Sequence, residues 1–147
     1  MTPEERLMKT CMEAWGQADN APVAGALHDD VVWISANERW DARIRSGGIY
    51  KGRALAIEQL SKLSTAYFNT RCVAKEIVSR GEIVWGIFQV TSTYTPVGSL
   101  KIVRRPVNWE MAMRWRVRNG KILEAQAFFD TVGLLLQQGF KTLAGPD

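Results

Sequence analysis

The sequence predicts an α+β domain in which helices pack on one face of a curved, mostly antiparallel sheet. Apolar residues recur at helical spacing early in the chain, whereas residues 70–129 alternate between apolar and polar side chains as strands do. Asn119-Gly120 separates two of the alternating segments and is a strong signal for a two-residue hairpin turn. Helices and strands that are segregated in this way are typical of the α+β class.

Length and composition indicate one globular domain that spans residues 1–147. The chain is 46% hydrophobic and 23% charged, as expected for an ordinary folded protein. No apolar run approaches the roughly 18 residues of a membrane span. The N-terminal segment MTPEERLMKT also lacks the apolar core of a signal peptide. These features predict a cytoplasmic protein with no membrane partner.

The chain is poor in residues that bind metals or form disulfides. Cys11 and Cys72 are too few for a disulfide framework or a thiolate metal site. His28 is the one histidine, so a centre with several histidine ligands is excluded, although a carboxylate site is not. We expect neither a metal nor a cofactor.

Two helices are predicted before the first strand. Thr2-Pro3-Glu4-Glu5 combines a capping threonine, a proline in the first helical position and a glutamate three residues after the cap. Gly16 suggests the end of this helix, and Pro22 opens a second, shorter helix through about Leu27. The apolar positions of the first helix are Leu7, Met8, Cys11, Met12 and Trp15.

The segment DDVVWIS, residues 29–35, is predicted as the first strand. Its alternation places Val31, Trp33 and Ser35 on one face, opposite Val32 and Ile34. An irregular, arginine-rich stretch follows, from Ala36 to Lys51. A third helix begins at Gly52, and its inner side is predicted to carry Leu55, Leu60 and Leu63.

Four strands and a closing helix are predicted for the rest of the chain. The strands are Thr70–Ser79, Glu82–Thr95, a long strand that ends near Arg118, and Lys121 to about Phe129. Asp130 or Thr131 is expected to cap the closing helix. The long strand has the clearest alternation, with Trp109, Met111, Met113, Trp115 and Val117 opposite Glu110, Ala112, Arg114, Arg116 and Arg118.

This order of elements resembles the SnoaL-like branch of the nuclear transport factor 2-like superfamily over nearly the whole chain. The resemblance is carried by the segments ADNAPVAGALHDDVVW, GGIYKGRALAIEQL and MRWRVRNGKILEAQAFFDTVGLL. It implies a single SnoaL-like domain with a cone-shaped, strongly curved sheet, helices on its concave face and an enclosed pocket. It also implies a homodimer formed through the outer face of the sheet. The superfamily includes ketosteroid isomerases, polyketide cyclases, epoxide hydrolases and proteins without chemistry, so membership implies no particular reaction.

The catalytic residues of the ketosteroid isomerases have no counterparts in this sequence. Their general-base aspartate, near the end of the first strand, corresponds to Ser35. Their oxyanion-binding tyrosine and aspartic acid correspond to positions near Cys11 and Met113. Without these groups, enolisation by that mechanism is disfavoured.

The catalytic residues of the limonene epoxide hydrolases also have no counterparts in this sequence. Their water-holding tyrosine and asparagine correspond to Trp33 and Ser35, and their Asp-Arg-Asp set corresponds to Ile87, Gln89 and Ala127. Opening an epoxide needs a carboxylate base and a carboxylic acid, and both are missing at these positions. The resemblance therefore disfavours both mechanisms and leaves the catalytic residues unknown.

The resemblance also implies which strand positions face inward. On this basis the inner face is mainly apolar and aromatic, with Ser35 and Gln89 as its two polar members. A filled hydrophobic core would explain most of these side chains. The small residues Ala125 and Ala127 and the polar Gln89 instead favour a retained pocket. The first helix would add Cys11 and Trp15. The predicted ligand-binding residues are Trp15, Trp33, Ser35, Trp85, Ile87, Gln89, Met111, Met113, Trp115, Ala127 and Phe129.

Any proton-transferring group would have to come from the loop of residues 36–51, from the rim of the pocket or from a bound water. The rim candidates in the loop after the first strand are Asn37, Glu38, Trp40 and Asp41, of which Glu38 and Asp41 are the remaining carboxylates. Tyr50 and Tyr67 could donate a hydrogen bond at the rim. For each of these residues, a solvated or structural role is the simpler interpretation. His28 is expected at the surface.

The net charge of +4 does not by itself indicate a nucleic-acid partner. An RNA-binding face would need aromatic side chains between the arginines, and these are absent from the arginine face of the long strand. We therefore expect a small apolar molecule as the partner of the pocket, with a non-catalytic, dimeric binding or assembly module as the alternative. Much of the positive charge lies between residues 101 and 121, where Glu110 is the one acidic residue. The basic residues there are Lys101, Arg104, Arg105, Arg114, Arg116, Arg118 and Lys121.

Overall fold

The computed structural model describes residues 1–36, 47–63, 67–95 and 104–139. In this part of the chain, an α+β architecture forms from four helices and a six-stranded curved sheet, as the sequence predicts. The helices are α1 (Pro3–Gly16), α2 (Ala21–Ala26), α3 (Arg53–Leu63) and α4 (Thr131–Gln137). The strands are β1 (Leu27–Ile34), β2 (Ile49–Lys51), β3 (Tyr67–Arg80), β4 (Ile83–Tyr94), β5 (Arg105–Arg118) and β6 (Lys121–Phe129).

The strands lie in the order β2-β1-β6-β5-β4-β3. All neighbouring strands are antiparallel except β1 and β6, which run parallel. The short strand β2 lies in the stretch that the sequence predicts as irregular. It forms because Ile49–Lys51 pairs with the end of β1, with Trp33 opposite Tyr50. No helix in the described segments is long and apolar enough to cross a membrane.

Helix α1 begins with the capping box that its sequence predicts. The Thr2 hydroxyl accepts a hydrogen bond from the Glu5 backbone at 3.1 Å, and the Thr2 backbone donates to the Glu5 carboxylate at 3.1 Å. The same carboxylate accepts a hydrogen bond from the Ser79 hydroxyl at 2.8 Å, which ties the start of α1 to β3. The predicted cap of α4 is also present, because Asp130 accepts from the Gly133 backbone at 2.9 Å.

The core lies between the helices and the concave face of the sheet. The predicted alternation of β5 is confirmed, since Met111, Met113 and Trp115 are buried and Glu110 is exposed. From the helix side, Met8 is fully buried against this face. Burying aromatic and aliphatic side chains of this size is the main favourable contribution to folding.

The predicted orientation of β4 is wrong. Trp85, Ile87 and Gln89 lie on the outer face, and the concave face instead receives Val84, Gly86, Phe88 and Val90. Both faces of β4 carry apolar side chains, so its own alternation cannot decide which face is buried. Its pairing with β5 decides it. Gly86 lies opposite Met113 and Phe88 lies opposite Met111, and directly opposed residues share a face.

One prediction for α3 is also wrong. Leu55 is 47% exposed, whereas Ala56, Gln59 and Leu60 are buried. These three residues follow the spacing i, i+3, i+4 of a single helix face. Leu60 lies on the inner side as predicted, and the side chain of Leu63 lies outside the described residues.

Candidate ligand-binding cavity

A cavity of about 410 Å³ lies between the concave face of the sheet and the helices. This volume falls within the range of small-molecule sites. Most of the lining is apolar or aromatic, and its polar members are amides and hydroxyls. The lining consists of Met12, Trp15, Gly16, Gln17, Ala18, Asn20, Val23, Trp33, Ser35, Leu60, Tyr67, Phe68, Asn69, Thr70, Trp109, Met111, Met113, Ala127, Phe129 and Leu134.

Seven of the predicted ligand-binding residues come together in this lining. Trp115, Cys11 and Ala125 are buried in the core but lie outside the lining. The Trp115 ring lies 6.5 Å from the Trp33 ring, and so it supports a residue of the cavity wall. The seven are Trp15, Trp33, Ser35, Met111, Met113, Ala127 and Phe129.

The three β4 residues predicted for the site lie on the opposite face of the sheet. The Gln89 amide donates a hydrogen bond to the Trp109 carbonyl at 3.2 Å, so it is not the central polar group of the cavity. Trp85 stacks on Phe128 with ring centroids 5.8 Å apart, and both side chains are about 40% exposed. No residue of β4 belongs to the described lining.

The buried polar pair at the cavity is Ser35 and Gln59. Ser35 lines the cavity near the end of β1, and Gln59 lies behind it on α3 with no exposed surface. The Gln59 Nε2 donates to the Ser35 Oγ at 3.3 Å. The Gln59 Oε1 has no hydrogen-bond partner within the described residues. Gln59 is not among the predicted site residues, because a polar residue on a helix gives no apolar signal.

Aromatic side chains build one end of the cavity. The Trp109 ring lies 5.5 Å from the Tyr67 ring and 6.5 Å from the Phe129 ring, and Leu134 of α4 lines the same end. The Gln138 amide donates a hydrogen bond to the Tyr67 hydroxyl. Burial raises the pKa of Tyr67 far above its usual value, so this phenol stays protonated at neutral pH.

Of the predicted rim residues that the structure describes, Tyr67 lines the cavity and Tyr50 does not. Asn37, Glu38, Trp40 and Asp41 lie outside the described residues. Tyr50 is half-buried, its hydroxyl donates to the Gly47 carbonyl at 2.8 Å, and it does not line the cavity. His28 lies in a separate polar depression, where its Nδ1 accepts from the Asp30 backbone at 3.0 Å.

The described lining carries several amides and hydroxyls but contains no Asp, Glu, His, Lys or Arg. Among the described residues, no group of three or more His, Cys, Asp or Glu side chains is placed to hold a metal ion. These side chains can enclose an apolar molecule and exchange hydrogen bonds with it.

The curved six-stranded sheet, the helices on its concave face and the cavity between them define a protein of the nuclear transport factor 2-like fold. Three crystal structures are similar to this chain throughout. An NTF2-like protein of unknown function from Burkholderia pseudomallei K96243 is 21% identical, with a TM-score of 0.77 over 95% of this chain and 100% of its own. IdmH, a proposed polyketide cyclase from Streptomyces antibioticus, is 20% identical, with the same TM-score and coverage.

The third structure is a proposed polyketide cyclase from Xanthomonas campestris pv. campestris. It is 19% identical, with a TM-score of 0.72 over 91% of this chain and 95% of its own. The family model of the SnoaL-like domain matches residues 9–125. The chain therefore belongs to the SnoaL-like family. No curated protein matches the sequence.

Proposed function

We propose that this protein binds a small apolar molecule with fused or linked rings in the cavity beneath α1 and α4. The observation that carries the proposal is a cavity of about 410 Å³ with a mainly apolar and aromatic lining. A filled core would leave no such space, because protein interiors normally pack to the density of organic crystals. Binding would remove the apolar surfaces of both the ligand and the lining from water.

Any reaction in this cavity would rely on positioning. Ser35, which accepts a hydrogen bond from Gln59, and the phenol of Tyr67 could orient a carbonyl or hydroxyl group of the ligand. Holding two reactive parts of one molecule together can accelerate a ring closure or an isomerisation without a strong acid or base. Such an isomerase, cyclase or hydratase activity is consistent with the two structural neighbours described as proposed polyketide cyclases.

A titration with steroids and polycyclic aromatic ketones tests the proposal. Trp15, Trp33 and Trp109 line the cavity, so a bound ligand should quench tryptophan fluorescence. Ala127→Leu should fill part of the cavity and weaken binding about tenfold or more. Ala112→Leu is the matched control, because Ala112 lies on the outer face of the neighbouring strand. Saturable binding that only Ala127→Leu weakens supports the proposal, and the absence of binding by every compound contradicts it.

A non-catalytic, dimeric assembly module is the second candidate function. The specific observation in its favour is the exposed stack of Trp85 and Phe128 on the outer face of the sheet. Exposed aromatic side chains in contact with each other are typical of protein interfaces. Light scattering coupled to gel filtration should give a dimer for the wild type and a monomer for Trp85→Glu. A wild-type monomer at high micromolar concentration would contradict this assembly.

A further inference from the structure

We propose that the mouth of the cavity recognises an uncharged, hydroxyl-bearing group on the apolar ligand. The residues that would do so are Gln17, Asn20, Asn69 and Thr70, which together we name the polar rim. All four line the cavity, and Gln17 and Asn69 are also exposed to solvent, so they lie where the cavity opens. The inference rests on the proposed function, because it assumes that an apolar ligand occupies the interior.

Three amide side chains of the polar rim have no hydrogen-bond partner within the described part of the chain: Gln17, Asn20 and Asn69. Asn20 is the most informative of them, because it occupies the N-cap position of α2 but makes no capping hydrogen bond. The Asp19 carboxylate instead accepts from the Ala21 backbone at 3.0 Å. The donors and acceptors of the Asn20 amide are therefore available to a molecule in the cavity or to water.

A β-bulge holds the other side of the polar rim. Phe68 lies opposite Thr93 and Arg71 lies opposite Thr91, so β3 has one extra residue at Asn69–Thr70. The buried Ser92 hydroxyl donates to the Phe68 carbonyl at 3.1 Å, which uses its single proton. Thr70 must then donate to Ser92, at 2.7 Å, and the lone pairs of its oxygen can accept a hydrogen bond from a ligand.

The two sides of the polar rim are fixed relative to each other by a close backbone contact. A Cβ on Gly16 would lie 2.6 Å from the Cys72 nitrogen, so the end of α1 lies directly against β3, next to the bulge. Ala18 and Asn69 both adopt positive φ angles, 61° and 50° respectively, and both line the cavity. A rim whose backbone is already in place loses less conformational entropy when it recognises a ligand.

The composition of the lining indicates a neutral binding partner. The described lining has no charged residue that could pair with a carboxylate or an ammonium group, and burying either one unpaired is strongly unfavourable. Amides both donate and accept, and a hydroxyl group does the same. A hydroxyl at the polar rim can therefore both donate and accept, whereas a charged group would lose part of its hydration without meeting an opposite charge in the described lining.

Four phenanthrene derivatives test the inference by equilibrium dialysis. They carry a hydroxymethyl, methyl, carboxylate or aminomethyl group at the same ring carbon. The hydroxymethyl compound should bind about 5- to 10-fold more tightly than the methyl compound, as one or two neutral hydrogen bonds would give. The two charged compounds should bind more weakly than the hydroxymethyl compound.

Variants of the polar rim should remove the preference for the hydroxymethyl compound over the methyl compound. Gln17→Met and Asn20→Leu preserve side-chain size, and Asn69→Gly tolerates the positive φ angle. The triple variant should bind the hydroxymethyl and methyl compounds within about twofold of each other. Gln126→Met is the control, because it removes an amide from β6 outside the described lining.

The outcomes separate the inference from the proposed function. If the methyl compound binds and the hydroxymethyl compound binds no more tightly, the inference is wrong and the proposed function stands. If either charged compound binds as tightly as the hydroxymethyl compound, the inference is also wrong. If neither these compounds nor the steroids and polycyclic ketones bind, the proposed function fails and the inference fails with it.

Discussion

The two faces of the sheet are built from the same strands, but they carry different side chains and have different roles. On β5, Met111, Met113 and Trp115 face the core, whereas Arg114 and Arg116 face outward. Arg116 pairs with Glu124 at 3.3 Å and lies 3.7 Å from Glu82. The positive charge that the sequence concentrates near this strand is therefore partly neutralised on the outer face, which weakens the case for an RNA partner.

The comparison separates the sources of stability and binding. The concave face removes large apolar side chains from water and still keeps a cavity. The outer face holds partly exposed ion pairs, which contribute little in water, and one exposed aromatic stack. We therefore expect substitutions of the same kind to have large effects on the concave face and small effects on the outer face.

Replacing one tryptophan on each face gives the largest expected difference. Trp115 is fully buried, so Trp115→Ala should lower the free energy of unfolding by about 3–5 kcal/mol. Trp85 is 41% exposed and stacks only on Phe128 among the described rings, so Trp85→Ala should lower it by about 1 kcal/mol. Urea denaturation followed by circular dichroism measures both values at low protein concentration.

If Trp115→Ala does not fold, Trp115→Phe keeps the comparison measurable. The smaller aromatic ring should still cost more than Trp85→Phe, because the space it leaves is enclosed. Equal losses for the two positions would contradict the assignment of the faces.

The strands and helices could be predicted from the sequence where one face is clearly polar and the other apolar. On β5, arginines alternate with methionine and tryptophan, so its buried face could be identified. On β4, Trp85 and Ile87 alternate with Val84 and Phe88, and this pattern is compatible with either face. Only pairing across the sheet resolves it, and a shift of one residue exchanges every side chain between faces.

The cavity could be predicted in part for the same reason. Trp33, Ser35 and Met113 line the cavity. They could be predicted because their strands alternate clearly or because they occupy positions that match catalytic positions of the family. Gln59 was missed because a buried glutamine on a helix gives no apolar signal. The bulge at Asn69 was missed because it depends on the distant Ser92.

Adding a methyl group to the concave face should have the second-largest effect. A Cβ on Gly86 would lie 2.6 Å from the Phe88 ring and 2.7 Å from the Met8 sulfur. Gly86→Ala should therefore force α1 and β4 apart and lower the free energy of unfolding by about 1–3 kcal/mol. Thermal and urea denaturation measure the change.

The matched control is Gly25→Ala in α2, where the added Cβ meets nothing within 4 Å. Because alanine has less freedom than glycine in the unfolded chain, this control should raise the free energy of unfolding by up to about 1 kcal/mol. A stabilising Gly86→Ala would show that α1 does not pack closely against β4.

Alkaline pH should destabilise the protein through the thiols of its core. Burial raises the pKa of Cys11 to about 11 and that of Cys72 to about 12. In the unfolded chain both thiols ionise near pH ~8.5, so the native state binds more protons than the unfolded state above this pH. Stability should therefore fall as pH rises, by about 1 kcal/mol between about pH 8 and pH 9.

Urea midpoints across this pH range, with Cys11→Ala/Cys72→Ala for comparison, measure the effect. The double variant should be less stable at neutral pH but should show a shallower alkaline decline. The native thiols should also react with a thiol reagent only after unfolding. Rapid labelling of either cysteine in the folded protein would contradict its burial.

The smallest effect is expected from an ion pair on the outer face, and its pH dependence has the opposite sign. The Arg118 guanidinium donates to the Glu82 carboxylate at 2.7 and 3.1 Å and lowers the pKa of Glu82 below its usual value. The contribution of this pair to stability is present above the pKa of Glu82 in the unfolded chain and is lost as pH falls through its pKa in the native protein.

Glu82→Gln should therefore cause a barely measurable loss in the free energy of unfolding near neutral pH, because both side chains are well exposed to solvent. The loss should vanish in acid and at about 1 M salt. Glu124→Gln should also cause only a small loss near neutral pH, because its ion pairs with Arg114 and Arg116 are exposed to solvent. Urea midpoints measure both variants, and a loss as large as that of Gly86→Ala would mean that the outer face contributes to stability as strongly as the concave face.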